Sequence, residues 1–358
     1  MAATSSPHSL IVEPTDGKAA ILAGLASATT TVDVTIYELS DSEVIAALIA
    51  AQGRNVTVRV LYNWYSFNTD VQATEVTPFV KQLTNAGVAC RPAPREFEVT
   101  HEKALVVDGA VAFILTLNLV EEYFQSTRDF GIVSTVAGEV AEVASVFAAD
   151  WSSAAANPSV ASLVWSPTNS RSRLTAVIGD ATKTLEIYNE EVSDPEILGA
   201  LVAAAGRGVA VRVIAAVLTE DGSDSGPNEN APGINYLNAH GVRATCKAFP
   251  VSTPDGSVPI YIHAKVIVAD FGSGDAKAFV GSENFSCVSL DDNRECGIIV
   301  TESAVLARLE ATFEADWAQP SVTVGPDSTP LQACPVDAFA RTRTRVASRP
   351  PTRTPPSP

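Results

Sequence analysis

The sequence predicts an α/β protein of two duplicated lobes, each a mixed, mostly parallel sheet flanked by helices. Three observations predict it. Residues 9–28, SLIVEPTDGKAAILAGLASA, align with 162–181, SLVWSPTNSRSRLTAVIGDA, and 31–63 align with 184–216. Each copy runs strand, helix, strand, the order that favours parallel pairing with right-handed crossovers. Each copy also closes on one signature, FAADW at 147–151 and FEADW at 313–317. A repeat this long is a duplicated domain rather than a solenoid unit.

The elements follow in order. An alternating segment, Val32–Tyr37, reads as a strand. Ser40-Asp41-Ser42-Glu43 and Ser193-Asp194-Pro195-Glu196 read as helix starts, the second with Pro near the first helical position and Glu at capping-box spacing. Gly53 and Gly206 are plausible stops. The β-branched runs Val56–Val60 and Val209–Ile214 supply the next strand of each copy. The lobes are assigned to 9–151 and 162–318, with 152–161, SSAAANPSVA, as the linker. Residues 320–358 are rich in Pro, end in five arginines from Arg341 to Arg353, and are expected to be a disordered tail.

Composition narrows the function. Of the 358 residues, 46% are hydrophobic and 18% charged, enough for a sizeable core. A net charge of −17 argues against a protein that coats nucleic acid. No apolar run reaches the length of a membrane span; the longest, Val111 to Val120, is interrupted by Thr116 and Asn118. MAATSSPHSL has no cationic segment followed by an apolar one, so no signal peptide is expected, and the compartment stays open. The five cysteines form no CxxC pair. Buried free thiols are expected, with one or two bridges if the protein is exported. Zinc is not expected.

Chemistry concentrates in two short patterns. His101-Glu-Lys103-Ala-Leu-Val-Val-Asp108 and His263-Ala-Lys265-Val-Ile-Val-Ala-Asp270 both read H-x-K-x-x-x-x-D, late in each copy. On a strand, His and Lys two apart share a face. Asp108-Gly109 predicts a two-residue hairpin, and Phe271-Gly272-Ser273-Gly274 a longer turn. With those turns Thr116 lies opposite His101 and Ser282 opposite His263, and Asn118 and Asn284 join the same faces. Downstream, Arg128-Asp129-Phe130-Gly131 and Arg294-Glu295-Cys296-Gly297 each offer one acid. Such a carboxylate fixes an imidazole tautomer and leaves the other nitrogen free to attack or to carry a proton. A plain salt bridge to Arg128 or Arg294 is the competing role.

These paired motifs, each followed by S/T-x-N, resemble the phospholipase D superfamily across roughly residues 9–318. The second copy has the full Gly281-Ser282-Glu283-Asn284, whereas the first has Leu115-Thr116-Leu117-Asn118, so Leu115 is expected to crowd the phosphate. The resemblance implies pseudo-twofold lobes with one shared active site. It makes His101, Lys103, His263 and Lys265, with the motif's Asp108 and Asp270, the catalytic set; the two aspartates are expected to brace turns or pair with a cation. Asn118, Asn284, Thr116 and Ser282 bind phosphate, and Asp129 and Glu295 orient the histidines. The implied activity is hydrolysis or alcohol exchange at a phospholipid head group through a phosphohistidine, without metal or cofactor. A metal-independent nuclease acting on DNA or RNA is the alternative.

Other features carry less. A monomer touching membrane surfaces transiently is expected. The loop Asn63-Trp64-Tyr65-Ser66-Phe67-Asn68 is a candidate for acyl chains or bases, with ordinary packing as the competing role, and Glu220–Gly226 for a solvent-exposed rim. His240 is expected as a helix cap or a surface residue and His8 as disordered.

Overall fold

The computed structural model describes residues 6–63, 77–219, 227–323 and 334. The first lobe contributes β1 (His8–Glu13), β2 (Thr31–Ile36), β3 (Thr57–Tyr62), β4 (Ala89–Pro92), β5 (Ala104–Val107), β6 (Val111–Leu115) and β7 (Thr127–Ser134). The second contributes β8 (Leu163–Ser166), β9 (Thr184–Asn189), β10 (Ala210–Ala215), β11 (Arg243–Lys247), the hairpin β12 (Pro250–Thr253) and β13 (Gly256–Pro259), then β14 (Tyr261–Ile262), β15 (Val266–Ala269), β16 (Lys277–Gly281), β17 (Glu295–Val300) and β18 (Ser321–Val322). The helices are α1 (Ala19–Ser27), α2 (Ser42–Gly53), α3 (Thr77–Asn85), α4 (Glu121–Ser126), α5 (Ala137–Trp151), α6 (Ser170–Asp180), α7 (Pro195–Gly206), α8 (Ala231–Ala239), α9 (Cys287–Asp291) and α10 (Ser303–Trp317).

Two eight-stranded mixed sheets result, ordered β1-β7-β6-β5-β2-β3-β4 with β14 beside β7, and β18-β11-β10-β9-β15-β16-β17-β8. The strand–helix–strand units β2-α2-β3 and β9-α7-β10 are parallel, as their order requires. Elsewhere antiparallel pairs dominate, so the sheets are mixed but not mostly parallel. The reason is local: the H-x-K segments run into antiparallel β5-β6 and β15-β16 hairpins, which the crossover argument did not weigh.

The central strands read as unbroken apolar runs because both faces are covered. Ala104 and Val106 of β5, with Val266 and Val268 of β15, enter one core drawn from both lobes. Leu105 and Val107 pack into the outer core of the first lobe, and Ile267 and Ala269 into that of the second. The lobes therefore share an apolar interior.

The repeated closing signature has a structural use. On α5, Trp151 takes the guanidiniums of Arg59 and Arg91 over its ring, at 5.5 and 4.6 Å. On α10, Trp317 does the same for Arg212 and Arg243, at 5.5 and 5.1 Å. The signature's aspartates cross to the other lobe, as described below.

Several local expectations change. Within the expected helix starts the caps are Asp41 and Asp194, each accepting from the second and third amides after it. His240 does cap α8. His8 is ordered and buried between Glu139 and Glu302, at 2.7 and 2.6 Å. Cys287 and Cys334 form a disulfide, while Cys90, Cys246 and Cys296 stay free. The tail is thus held at two places: Ser321–Val322 is an edge strand on β11, and Cys334 is bridged to α9. Residues 324–333 and 335–358, the aromatic loop beyond Asn63 and the 220–226 segment lie outside the described residues. Among the described residues no helix is long and apolar enough to cross a membrane.

Candidate active site

Each H-x-K segment reaches its position by binding the other lobe's backbone. The amides of His101 and Glu102 donate to the Arg294 carbonyl, both at 2.9 Å, and those of His263 and Ala264 donate to the Arg128 carbonyl at 3.2 and 2.9 Å. Arg128 and Arg294 are themselves fixed by the signature aspartates. Arg128 is held bidentate by Asp316 at 2.6 and 3.0 Å, and Arg294 by Asp150 at 2.9 and 3.0 Å. Fork-to-carboxylate pairing sets both distance and angle. It also occupies the arginines, so the neighbouring acids turn to the histidines instead.

Those acids cross over. His101 Nδ1 donates to Glu295 Oε2 of the second lobe at 2.8 Å, and His263 Nδ1 donates to Asp129 Oδ1 of the first lobe at 2.9 Å. Both carboxylates are fully buried. Ser289 and Asn293 bind the far oxygen of Glu295 at 2.6 and 3.0 Å. Thr116 and Thr127 bind Asp129. Burial disfavours charge on Glu295, but His101 beside it prevails and holds its carboxyl below the usual range. With Nδ1 committed as a donor, a neutral imidazole keeps its lone pair at Nε2.

Lys103 and Lys265 are buried, and each donates back to the carbonyl of its own histidine. Burial, then the charge of Lys265, pushes Lys103 down to about 7. Burial, reinforced by both lysines and opposed by Glu295, pushes His101 down to about 4. Those mutual effects place the H-x-K pairs of both lobes in one electrostatic environment.

Further residues surround them. Asn118 donates to Glu38 at 3.0 Å and Asn284 to Glu190 at 3.2 Å, leaving each buried Oδ1 without a hydrogen-bond partner among the described residues. Glu190 also accepts from Lys265 at 2.8 Å. Tyr37 meets His101 edge-on at 4.9 Å, and Tyr123 meets His263 at 4.8 Å. The sequence analysis missed Tyr37, Glu38, Tyr123, Glu190 and Tyr261. The repeat alignment held a signal, because Tyr37 and Glu190 occupy matching positions just after β2 and β9.

Asp108 and Asp270 leave the catalytic set and brace turns, as expected, while Thr116, Ser282 and Leu115 need correction. Asp108 and Asp270 stand away from the histidines. Their carboxylates collect the amides of Thr29–Thr31 and Thr182–Thr184, at 2.6 to 3.2 Å. This holds both residues at φ +53° and draws them out of the ladder. The hairpins consequently close one residue later than expected, Val107 facing Val111 and Ala269 facing Lys277. The hydroxyls expected at the phosphate are committed elsewhere: Thr116 to Asp129 and the Phe130 amide, Ser282 to the Cys296 amide at 3.1 Å. The one-residue slip re-aims both. Leu115 does not crowd the site either; it is buried in the first lobe's outer core, above Gly131.

The comparisons match this geometry to known folds. The family model described as "Cardiolipin synthase, PLD-like domain" matches residues 21–151 and 174–317. No curated protein matches the sequence. Among solved structures, phosphatidylserine synthase from Haemophilus influenzae Rd KW20 aligns with TM-score 0.67 and 12% identity, over 96% of this chain and 94% of that one. Polyphosphate kinase from Porphyromonas gingivalis aligns with TM-score 0.68 and 13% identity, over 91% of this chain. The present chain spans only 51% of that kinase. At these identities the likeness is one of fold.

Proposed function

Because the chain belongs to the PLD-like domain family of the cardiolipin synthase type, we propose that it is a phosphodiester-acting enzyme of phospholipase D type, hydrolysing a phospholipid head-group diester or transferring it to an alcohol. The observation that carries this reading is the crossed pair of histidine–carboxylate bonds, His101–Glu295 and His263–Asp129, with two buried lysines.

His101 Nε2 attacks phosphorus, and the head-group oxygen leaves with the proton of His263 Nε2. The phosphorus is then bonded to His101. His263 next takes a proton from water or an alcohol, whose oxygen attacks phosphorus and releases His101. His101 suits the nucleophile's role because it is neutral at ordinary pH. Lys103 and Lys265 stabilise charge growing on the non-bridging oxygens, with Asn118 and Asn284 beside them. A lipid substrate is favoured over nucleic acid by the net charge of −17.

A side-by-side assay of phosphatidylcholine, cardiolipin, single-stranded DNA and a chromogenic diester tests this reading. Turnover of lipid and chromogenic diester is expected, lost in His101→Asn. Turnover confined to DNA would replace the lipid assignment with a nuclease.

A further inference from the structure

Glu190 is where the duplicated halves of the site part. The matching position in the first lobe is Tyr37, whose ring lies 5.1 Å from Lys103 Nζ. In the second lobe a carboxylate takes that place, whereas the first lobe's carboxylate comes from the next residue, Glu38, and accepts from Asn118 at 3.0 Å. Glu190 Oε2 accepts from Lys265 Nζ at 2.8 Å and Asn284 Nδ2 at 3.2 Å, and lies 3.6 Å from His263 Nε2. Its other oxygen accepts from the Tyr261 hydroxyl at 2.7 Å. Tyr261 begins β14, which pairs with β7. The carboxylate is therefore anchored through both oxygens to elements of the shared interior. Burial disfavours its charge, but Lys265 and His263 hold its acid well below the usual range, so it is an anion at working pH.

A fixed anion there has two consequences for any phosphoryl group between the histidines. The first is charge: repulsion grows with each negative charge the phosphoryl group carries. The second is donor supply. An ammonium has three N–H donors. Lys265 spends one on the His263 carbonyl and one on Glu190, and Asn284 spends an N–H on the same carboxylate. What remains suits a diester, with one charge and two free oxygens, better than a monoester, with two charges and three.

We propose that Glu190 is a specificity-determining residue that admits phosphodiester monoanions and expels phosphomonoester dianions, the class to which the hydrolytic product belongs. This rests on the phosphodiesterase reading above. It explains how a site with two buried lysines would release a product more highly charged than its substrate.

Calorimetric binding of dimethyl phosphate and methyl phosphate tests it without turnover, at pH about 7.5, where a monoester with a second pKa near 6 is mostly dianionic. The wild type should bind the diester more tightly. Glu190→Gln, which keeps the shape and an acceptor oxygen, should tighten methyl phosphate by about tenfold or more, reversing the order. Product inhibition of diester turnover should strengthen by a similar factor. Unchanged methyl phosphate affinity in a folded Glu190→Gln, or equal tightening for both ligands, would overturn the proposal. Wild-type diester preference without any diester turnover would instead overturn the phosphodiesterase reading and leave the charge filter standing.

Discussion

The two halves of the site have the same motif but not the same surroundings. Around His101 the first lobe places an aromatic ring, Tyr37, and fills the space behind the motif with Leu115 and Leu117. Both histidines meet a tyrosine edge-on and both asparagines hold a carboxylate, Glu38 and Glu190, but only Glu190 also binds its lobe's lysine and comes within 3.6 Å of its histidine, and the second lobe replaces those leucines by Gly281 and Glu283. The exchange is compensated in volume. A Cβ on Gly281 would lie 2.4 Å from Glu283 Oε2 and 2.5 Å from the Gly297 Cα, so the glycine makes room for the buried glutamate. Burial, with Glu295 and Glu102 nearby, drives the Glu283 carboxyl well above its usual range, so it is buried as a neutral acid. The lesson is that duplication conserved the reacting groups and let their electrostatic setting diverge. A symmetric motif thereby acquires unequal roles.

The largest expected effect comes from removing the reacting groups that the two halves share. His101→Asn and His263→Asn should each lower kcat by roughly 10⁴-fold, and the double variant should cost little more, because residues acting as one unit are not additive. Retained activity in either single variant would break the shared-site account. Glu295→Gln and Asp129→Asn come next. Each should cost roughly 10²- to 10⁴-fold by losing the tautomer-fixing acceptor across the lobe interface. Swapping each acid for the other's residue type separates charge from reach.

The pH profile of kcat/KM sharpens the comparison further. His101 must be neutral to attack, so activity should rise as pH rises through about 4. Lys103 must be charged, so activity should fall as pH rises through about 7. A profile flat from pH 5 to 9 contradicts the Lys103 assignment, and one flat from pH 3 to 5 contradicts the His101 assignment. Gly281→Leu, which makes the second lobe resemble the first at one position only, should destabilise the fold by about 1–3 kcal/mol through overpacking. Adding Glu283→Leu removes one clashing group and should recover part of that loss, read as denaturation midpoints. Smallest of all, a chelator should change the rate by less than about twofold, since ammonium groups occupy the role a divalent ion plays elsewhere.

Much of this was legible in the sequence, and the repeat is why. His101, Lys103, His263, Lys265, Asn118 and Asn284 stood out because each occurs twice in equivalent context. Reading by likeness also explains what was passed over. Tyr37 and Glu190 differ between the copies, so a search for sameness could not single them out. Asp129 and Glu295 were visible as acids, but not that each serves the other lobe's histidine; that depends on Asp150 and Asp316 occupying the intervening arginines. The hairpin register is not legible locally, because Asp108-Gly109 suggests a tight turn from local preference alone. Here the Asp108 and Asp270 side chains instead cap a neighbouring strand. The sheet direction was misjudged for a similar reason, since one clear crossover in each copy was extended to strands it does not govern.

The central claim is that both lobes build one site in which His101 forms the covalent bond. Its most direct measurement is rapid quench of the His263→Asn variant with a nitrophenyl phosphodiester, followed by mass spectrometry. Nitrophenoxide leaves without a proton, whereas the second step still needs the base that has been removed. The account predicts a burst of nitrophenol and a phosphoryl adduct that persists on His101. An adduct on any other residue, or no adduct beside undiminished turnover, would contradict it.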